Sequence, residues 1–201
     1  MRRRQVHLLP LTPREQLRAG RLPRRLVQLT IGLVLYGISM AMLVRSTLGL
    51  DPWDVFHYGV AARVPLSFGT IVIIVGALVL LAWIPLRQMP GLGTVANVVV
   101  IGLATDLGLA LIPAPEAWPA RGALLAAGLV LNGAAGGLYI GSQLGPGPRD
   151  GLMTGLARRT GWSLRVVRTG IEVSVLVVGF ALGGIVGLGT VLYAVMIGPL
   201  V

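Results

Sequence analysis

The sequence contains no cysteine and no lysine, and only 12% of its 201 residues are charged. The absence of cysteine excludes disulfides, thiol catalysis and thiolate metal sites. The shortage of charge excludes a soluble enzyme, because a water-facing domain has about a quarter of its residues charged. The two histidines, His7 and His57, are too far apart for a local metal motif. No nucleophile–base pair, phosphate loop or redox motif is present, so we expect no catalytic residue, no metal site and no cofactor.

Apolar residues make up 55% of the chain, and the mean hydropathy is +0.83. Several uncharged runs are long enough to cross a hydrocarbon core about 30 Å thick. This pattern predicts an all-α fold, a polytopic transmembrane helical bundle whose first partner is the lipid bilayer. The six predicted spans are residues 26–44, 68–86, 92–112, 122–140, 166–183 and 186–201.

The net charge of +10 is concentrated at one end of the chain. Eight of the seventeen arginines lie in the first 25 residues, against one acid, Glu15. Arginines placed beside apolar runs are typical of membrane topology rather than of phosphate binding, so nucleic acid is not an expected partner. Residues 1–24 are predicted to be a flexible basic cytoplasmic tail. The alternative is a signal peptide, which the 19-residue length of the following apolar run disfavours.

The arginines also predict the orientation in the membrane. With the tail inside, the tail and the inner loops hold thirteen arginines and the outer loops hold three. The positive-inside rule therefore predicts that both termini are cytoplasmic.

The chain resembles itself at an offset of 96 residues. Without any gap, 25 of the 71 pairs from Gly32/Gly128 to Gly102/Gly198 are identical. We interpret residues 25–112 and 121–201 as two transmembrane repeats. Three spans in each repeat make the second copy inverted across the membrane, as in many secondary transporters. If the connector after the first span also crosses the membrane, each repeat has four spans and the copies are parallel.

Each repeat contains a short polar connector, residues 51–63 and 147–159, that is predicted to form an extra half-helix. Asp51 is a predicted N-cap, and Asp54 and Asp150 fall in the first turns, where the helix dipole favours a carboxylate. Two half-helix N-termini pointing to the core would bind an anionic group, with Arg149 assisting. In the alternative, Asp54 and Asp150 cap their own helices and no donors remain free.

Charged residues inside spans are functional candidates because their burial in lipid is costly. Asp106 interrupts the third span without an obvious partner and is the candidate for proton coupling, while Arg168 and Glu172 have the i, i+4 spacing of a pair on one helix face. Trp53 is predicted to be an interfacial anchor rather than a stacking platform, and His57 an interfacial side chain rather than a pH sensor.

Several strings carry a resemblance to a known family: GLDPWDV, LYIGSQLGPGPRDGLM, VRTGIE and GTVLYAVMIGPL. They resemble those of the YczE-like bacterial integral membrane proteins, often grouped with the YyaS and YitT types, and the resemblance covers residues 26–201. It implies a multi-pass protein of the bacterial cytoplasmic membrane and names no substrate. Asp51 stands where the family prefers a glycine or a similar residue, which argues against an open cap on the first half-helix.

The leading functional hypothesis is a small permease that carries an unknown small molecule between two rocking bundles. The rival hypothesis is a membrane-embedded regulator or scaffold that binds a protein partner, with its basic tail on anionic lipids. A passive channel is the third alternative. Self-association into a homo-oligomer is compatible with all three.

Overall fold

The computed structural model describes residues 12–200, with side chains described to residue 197, and this part of the chain is all-helical. The predicted fold class, an all-α membrane protein, is confirmed. Residues 1–11 of the predicted tail and the last residue of the sixth predicted span lie outside the described residues. The helices are α1 (Pro13–Arg18), α2 (Leu22–Ser46), α3 (Pro52–Ala61), α4 (Phe68–Trp83), α5 (Leu92–Leu111), α6 (Trp118–Gly141), α7 (Pro148–Thr160), α8 (Leu164–Ala181) and α9 (Leu188–Leu200).

Three of the helices, α2, α5 and α6, are long and apolar enough to cross a membrane. α4 and α9 are apolar but shorter. α8 has 18 residues, yet it carries Arg165, Arg168 and Glu172. All six predicted spans thus coincide with helices, and α3 and α7 form where the two half-helices were expected. Six crossings of the membrane stay a prediction.

The described part of the tail is more ordered than the sequence analysis expected. α1 begins with a capping box, in which the Thr12 hydroxyl accepts the Glu15 backbone N–H and the Glu15 carboxylate accepts the Thr12 N–H. The Thr12 hydroxyl also donates to this carboxylate, and the two hydrogen bonds that the carboxylate accepts, chiefly the backbone one, hold the pKa of Glu15 below its ordinary value. The signal is readable in the sequence as Thr-Pro-Arg-Glu, so a capping-box search would have found this helix.

α2 and α6 form an antiparallel pair at the centre of the bundle. Arg25, in the first turns of α2, donates from Nε to the Ser142 carbonyl just after α6, at 2.7 Å. In return, Arg121 of α6 donates from Nε to the carbonyl of Ser46, the last residue of α2, at 3.1 Å. Gly32 permits the close crossing, because a Cβ there would lie 2.8 Å from the Tyr139 backbone nitrogen.

The helices of the two halves begin at the same offset that the sequence comparison gave. The first residues of α2, α3, α4 and α5 precede those of α6, α7, α8 and α9 by 96 positions each. The Gly93 N–H donates to the Leu144 carbonyl at 2.7 Å. The equivalent Gly189 N–H donates to the Leu48 carbonyl at 2.8 Å. Each half therefore binds the other through the same pair of positions.

The half-helices are exchanged between the two halves of the bundle. α3 packs mainly on α8 and less on α4, whereas α7 packs on α4 and on α8 to a similar extent, so that each half-helix also rests on a helix of the other half. Gly59 of α3 and Gly179 of α8 meet at one of these contacts, where a Cβ on either residue would overlap the opposite backbone. This exchange brings the N-terminal ends of α3 and α7 to the same region of the core.

Candidate functional site

A cavity of about 140 Å³ lies where the two half-helices begin. Six residues proposed from the sequence line this cavity: Trp53, His57, Arg149, Asp150, Arg168 and Glu172. Asp54 lies directly behind them, fully buried. Only Asp106, among the proposed site residues, lies elsewhere.

The first turn of α3 is closed by its own cap. Asp51 is the N-cap, as predicted, and its Oδ1 accepts the backbone N–H groups of Trp53 and Asp54 at 2.8 and 2.9 Å. Pro52 has no N–H, and the Val55 N–H donates to the Asp51 carbonyl. All the N–H groups of this turn are therefore accounted for. The alternative in which a carboxylate caps its own helix holds for α3, with Asp51 rather than Asp54 as the cap.

The start of α7 is built differently, because its N-cap is Gly147 and offers no side chain. The helix is held in place by Trp83 of α4, whose indole Nε1 donates to the Pro148 carbonyl at 3.0 Å. Asp150, in the first turn, accepts a long hydrogen bond of 3.4 Å from the Tyr139 hydroxyl. Its carboxylate faces the cavity without a salt bridge among the described residues.

Arg149 joins the two half-helices. Its Nη2 lies 3.4 Å from Oδ1 of Asp54, and its Nη1 lies 3.7 Å from Oδ1 of Asp51. The guanidinium also lies over the Trp53 ring, 5.1 Å from the centroid. Trp53 is only 7% exposed, so it is a stacking platform in the core, and its prediction as an interfacial anchor is wrong. An arginine held by two carboxylates and an aromatic ring is not free to bind an anion.

His57 completes this buried group. Its Nδ1 lies 3.1 Å from Oδ1 of Asp54, one helical turn earlier. Both side chains are almost fully enclosed, so the interpretation of His57 as an interfacial residue is also wrong. The contacts described for Asp51 and Asp54 all involve Oδ1, and the second oxygen of each carboxylate, Oδ2, is buried and has no hydrogen-bond partner in the described structure.

Arg168 and Glu172 pair as the spacing predicts, with 2.8 Å between Nε and Oε1. Their side chains are 57% and 32% exposed, which places the pair at the rim of the cavity. An ion pair this exposed contributes little to stability. Its position makes it a neighbour of the site rather than part of its buried floor.

Asp106 has partners, contrary to expectation. Its Oδ2 accepts the Ser67 hydroxyl at 2.5 Å, and its Oδ1 accepts the Gly69 backbone N–H at 2.7 Å. The carboxylate therefore caps the start of α4 from the neighbouring α5. The sequence could not show this, because 37 residues separate Asp106 from the N–H that it binds.

The sequence analysis missed two tyrosines of the cavity, Tyr139 and Tyr193. Tyr193 occupies the position in the second half that Asn97 occupies in the first, and both line the cavity. A search for polar residues at equivalent repeat positions would have found this pair. Among the described residues, no three His, Asp or Glu side chains converge as metal ligands.

Comparisons with known proteins place the chain in a family. Residues 23–201 match the model of the family of unknown function DUF6198. An uncharacterized protein of Haemophilus influenzae is 40% identical over 173 residues, which cover 86% of this chain and 79% of that protein. The uncharacterized membrane protein YczE of Bacillus subtilis is 34% identical over 169 residues, which cover 83% of this chain and 79% of YczE. No solved structure matches significantly. The resemblance drawn from the sequence strings is thereby confirmed: the chain is a membrane protein of the DUF6198 family and is similar to YczE.

Proposed function

We propose that the protein is a small transporter of the bacterial cytoplasmic membrane, built from two inverted three-helix repeats and acting without covalent chemistry. The observation that carries this proposal is the polar cavity at the place where the two halves exchange their half-helices. In inverted-repeat transporters, the binding site lies at the repeat interface, beside interrupted helices. The cavity has the same relationship to α3 and α7.

The exchanged contacts support an alternating mechanism. Because α3 rests on α8 and α7 rests on α4, tilting one group of helices against the other changes the packing on one side of the cavity at a time. The reciprocal hydrogen bonds from Gly93 to Leu144 and from Gly189 to Leu48 give both halves the same attachment. Two equivalent attachments allow two conformations of similar energy, which alternating access needs.

Cysteine labelling tests the inverted topology, since the chain has no cysteine of its own. Val64 and Thr160 are exposed and occupy equivalent repeat positions, 96 residues apart. In the proposed arrangement, Val64→Cys reacts with a membrane-impermeant maleimide from the outside of intact cells, whereas Thr160→Cys reacts only after the inner face is opened. Labelling of both from the same side would contradict inversion and support parallel four-span repeats. The same experiment tests the cytoplasmic N-terminus, through a cysteine introduced at Thr12.

Counterflow in proteoliposomes tests transport itself. A carrier exchanges labelled solute against an excess of unlabelled solute, whereas a channel does not accumulate the label. We expect saturable counterflow for one class in a panel of small amines, carboxylates and neutral solutes, and we expect it to survive deletion of residues 2–24. The absence of counterflow across the panel, together with a loss of cellular phenotype on that deletion, would favour the regulator.

A further inference from the structure

The charge of the cavity is the starting point for a substrate class. Three carboxylates line it, Asp51, Asp150 and Glu172, and Asp54 lies immediately behind Asp51. Two arginines oppose them, Arg149 and Arg168. With every carboxyl counted as ionised, four acids against two guanidinium groups give a formal excess of two negative charges, or of one if His57 is protonated. Such a lining favours a cation over an anion.

The pairing within the cavity shows where that excess resides. Arg168 is used by Glu172, and Arg149 is shared between Asp51 and Asp54. Asp150 accepts the long hydrogen bond from Tyr139 and one from the Gly147 backbone, and it has no arginine within ion-pair distance among the described residues. The unneutralised charge therefore lies on the floor of the cavity, between the starts of α3 and α7.

Unsatisfied acceptors form a second and independent observation. Asp51 lines the cavity and is 2% exposed, and its Oδ2 has no hydrogen-bond partner in the described structure. Oδ2 of Asp54, whose side chain is fully buried, is also without a partner there. A buried carboxylate oxygen without a donor is unfavourable, and an N–H group of a bound ligand would relieve it. Cationic N–H donors give the strongest hydrogen bonds to such oxygens.

Tyrosine rings and aliphatic side chains share the remaining walls. Tyr36 and Tyr139 pack edge to face at 5.9 Å, and Tyr193 lies next to them on the cavity wall. Ring faces and hydroxyl oxygens stabilise an organic cation that has left water. A cavity near 150 Å³ accommodates a molecule of about the size of benzene, so the cavity volume of about 140 Å³ is sufficient for a small organic cation.

We infer that the cavity binds a small protonated amine, whose ammonium group lies between Asp51 and Asp150 and whose apolar part lies against Tyr36 and Tyr139. This inference names the substrate class of the proposed transporter and rests on that function for its physiological meaning. Binding itself requires only the cavity. The two half-helices then recognise the ligand through side-chain carboxylates rather than through free backbone donors.

A size-matched series tests the inference on the purified full-length protein in maltoside detergent and an amine-free phosphate buffer. n-Butylammonium, n-butanol and butyrate have nearly the same size and shape but differ in charge. We expect n-butylammonium to raise the unfolding temperature saturably, while n-butanol and butyrate leave it unchanged at equal concentration. The inference would be overturned if butyrate bound as tightly as n-butylammonium, or more tightly.

Matched carboxylate variants locate the site. Asp150→Asn keeps the hydrogen bond to Tyr139 and leaves no buried arginine unpaired, and it should weaken n-butylammonium binding about tenfold or more. Asp51→Asn keeps an oxygen for the α3 cap and should weaken binding similarly. Asp106→Asn removes the same charge outside the cavity and should leave the affinity unchanged. Equal affinity in Asp150→Asn and the parent protein would contradict the assignment.

The outcomes separate the inference from the proposed function. Saturable n-butylammonium binding without counterflow of any amine would retain the site and reject transport. Counterflow of carboxylates or neutral solutes without amine binding would retain transport and reject the amine.

Discussion

Arg149 Nη2 lies 3.4 Å from Asp54 Oδ1, although 95 positions separate the two residues in the chain. This contact joins the first turns of α7 and α3, and Asp51 lies on the same guanidinium. One arginine is thus the shared counter-charge of two buried carboxylates that belong to the opposite half of the bundle. The stability of the cavity floor should depend on it more than on any surface ion pair.

We expect Arg149→Met to lower the free energy of unfolding by about 3 kcal/mol, because it leaves two buried carboxylates without a counter-charge. Adding Asp54→Asn to this variant removes one of the stranded charges and should restore part of the loss. Arg168→Met is the control, since its exposed pair with Glu172 should contribute less than about 1 kcal/mol. Unfolding in mixed detergent micelles measures all three, and strictly additive effects would contradict the pairing.

The crossing of α2 and α5 depends on Gly37. A Cβ at this position would lie 2.6 Å from both the Ala104 Cβ and the Ile101 carbonyl oxygen. Gly37→Ala must push the two helices apart, and we expect it to destabilise the protein by about 1–3 kcal/mol. Gly170→Ala on α8 meets nothing within 4 Å, so it should be neutral or stabilise by up to about 1 kcal/mol through helix propensity. Similar unfolding temperatures for the two variants would contradict close packing at Gly37.

Asn132 links three helices at a buried position. Its Nδ2 donates to Ser39 Oγ at 2.9 Å, and its Oδ1 accepts the Tyr193 hydroxyl at 3.1 Å. Asn132→Ala should cost about 1–2 kcal/mol, the usual strength of polar contacts between membrane helices. The loss should be smaller in a Ser39→Ala background, because one bond is already absent. Ser174→Ala is the control, since its hydroxyl is exposed and donates only within α8, and it should change the free energy of unfolding by less than about 0.5 kcal/mol.

Asp106 acts as a cap in this structure, which changes what its substitution should do. Asp106→Ala removes the acceptor of the Gly69 N–H and of the Ser67 hydroxyl, so we expect a loss of about 1–2 kcal/mol in stability. Ser67→Ala combined with it should add a further loss of about 1 kcal/mol, because the Ser67 hydroxyl is the N-cap of α4 and also accepts the Thr70 N–H. Counterflow by Asp106→Asn should keep the pH dependence of the parent protein. A shifted pH profile would restore Asp106 as a coupling residue.

The positions of the helices were readable from the sequence because local chemistry determines them. Apolar runs gave the six long segments, and Asp51 followed by Pro52 gave the start of α3. The composition of the site was largely readable too, since six of the proposed residues line one cavity.

The partners of these residues were not readable, because they depend on tertiary contacts between distant segments. Asp106 caps α4 by accepting the Gly69 N–H. Trp53 packs in the core against the guanidinium of Arg149, which belongs to the other half of the chain. Hydropathy reports the depth of a residue but not the helix that faces it. The offset of 96 aligned Asp54 with Asp150, yet only the exchange of the half-helices brings Arg149 to Asp54.

The connector glycines provide a test of structural equivalence between the halves. Gly49 and Gly145 are 96 positions apart and have φ angles of +119° and +123°, which disfavour any side chain. A Cβ on either residue would also meet the start of the last helix of the opposite half: backbone and hydroxyl atoms of Thr190 in α9 for Gly49, and the hydroxyl of Thr94 in α5 for Gly145. Gly49→Ala and Gly145→Ala should therefore destabilise the protein by similar amounts, at least about 2 kcal/mol each, from strain and overlap together.

Gly161→Ala separates these two contributions. Gly161 has a φ of +73°, in the left-handed region, but a Cβ there meets nothing within 4 Å, so only a strain of about 1 kcal/mol is expected. Unfolding titrations of the three variants measure the comparison. The two connectors are not equivalent if Gly49→Ala lowers the free energy of unfolding strongly while Gly145→Ala lowers it no more than Gly161→Ala does. In that case the two halves would share the positions of their helices but not the contacts that enclose the cavity.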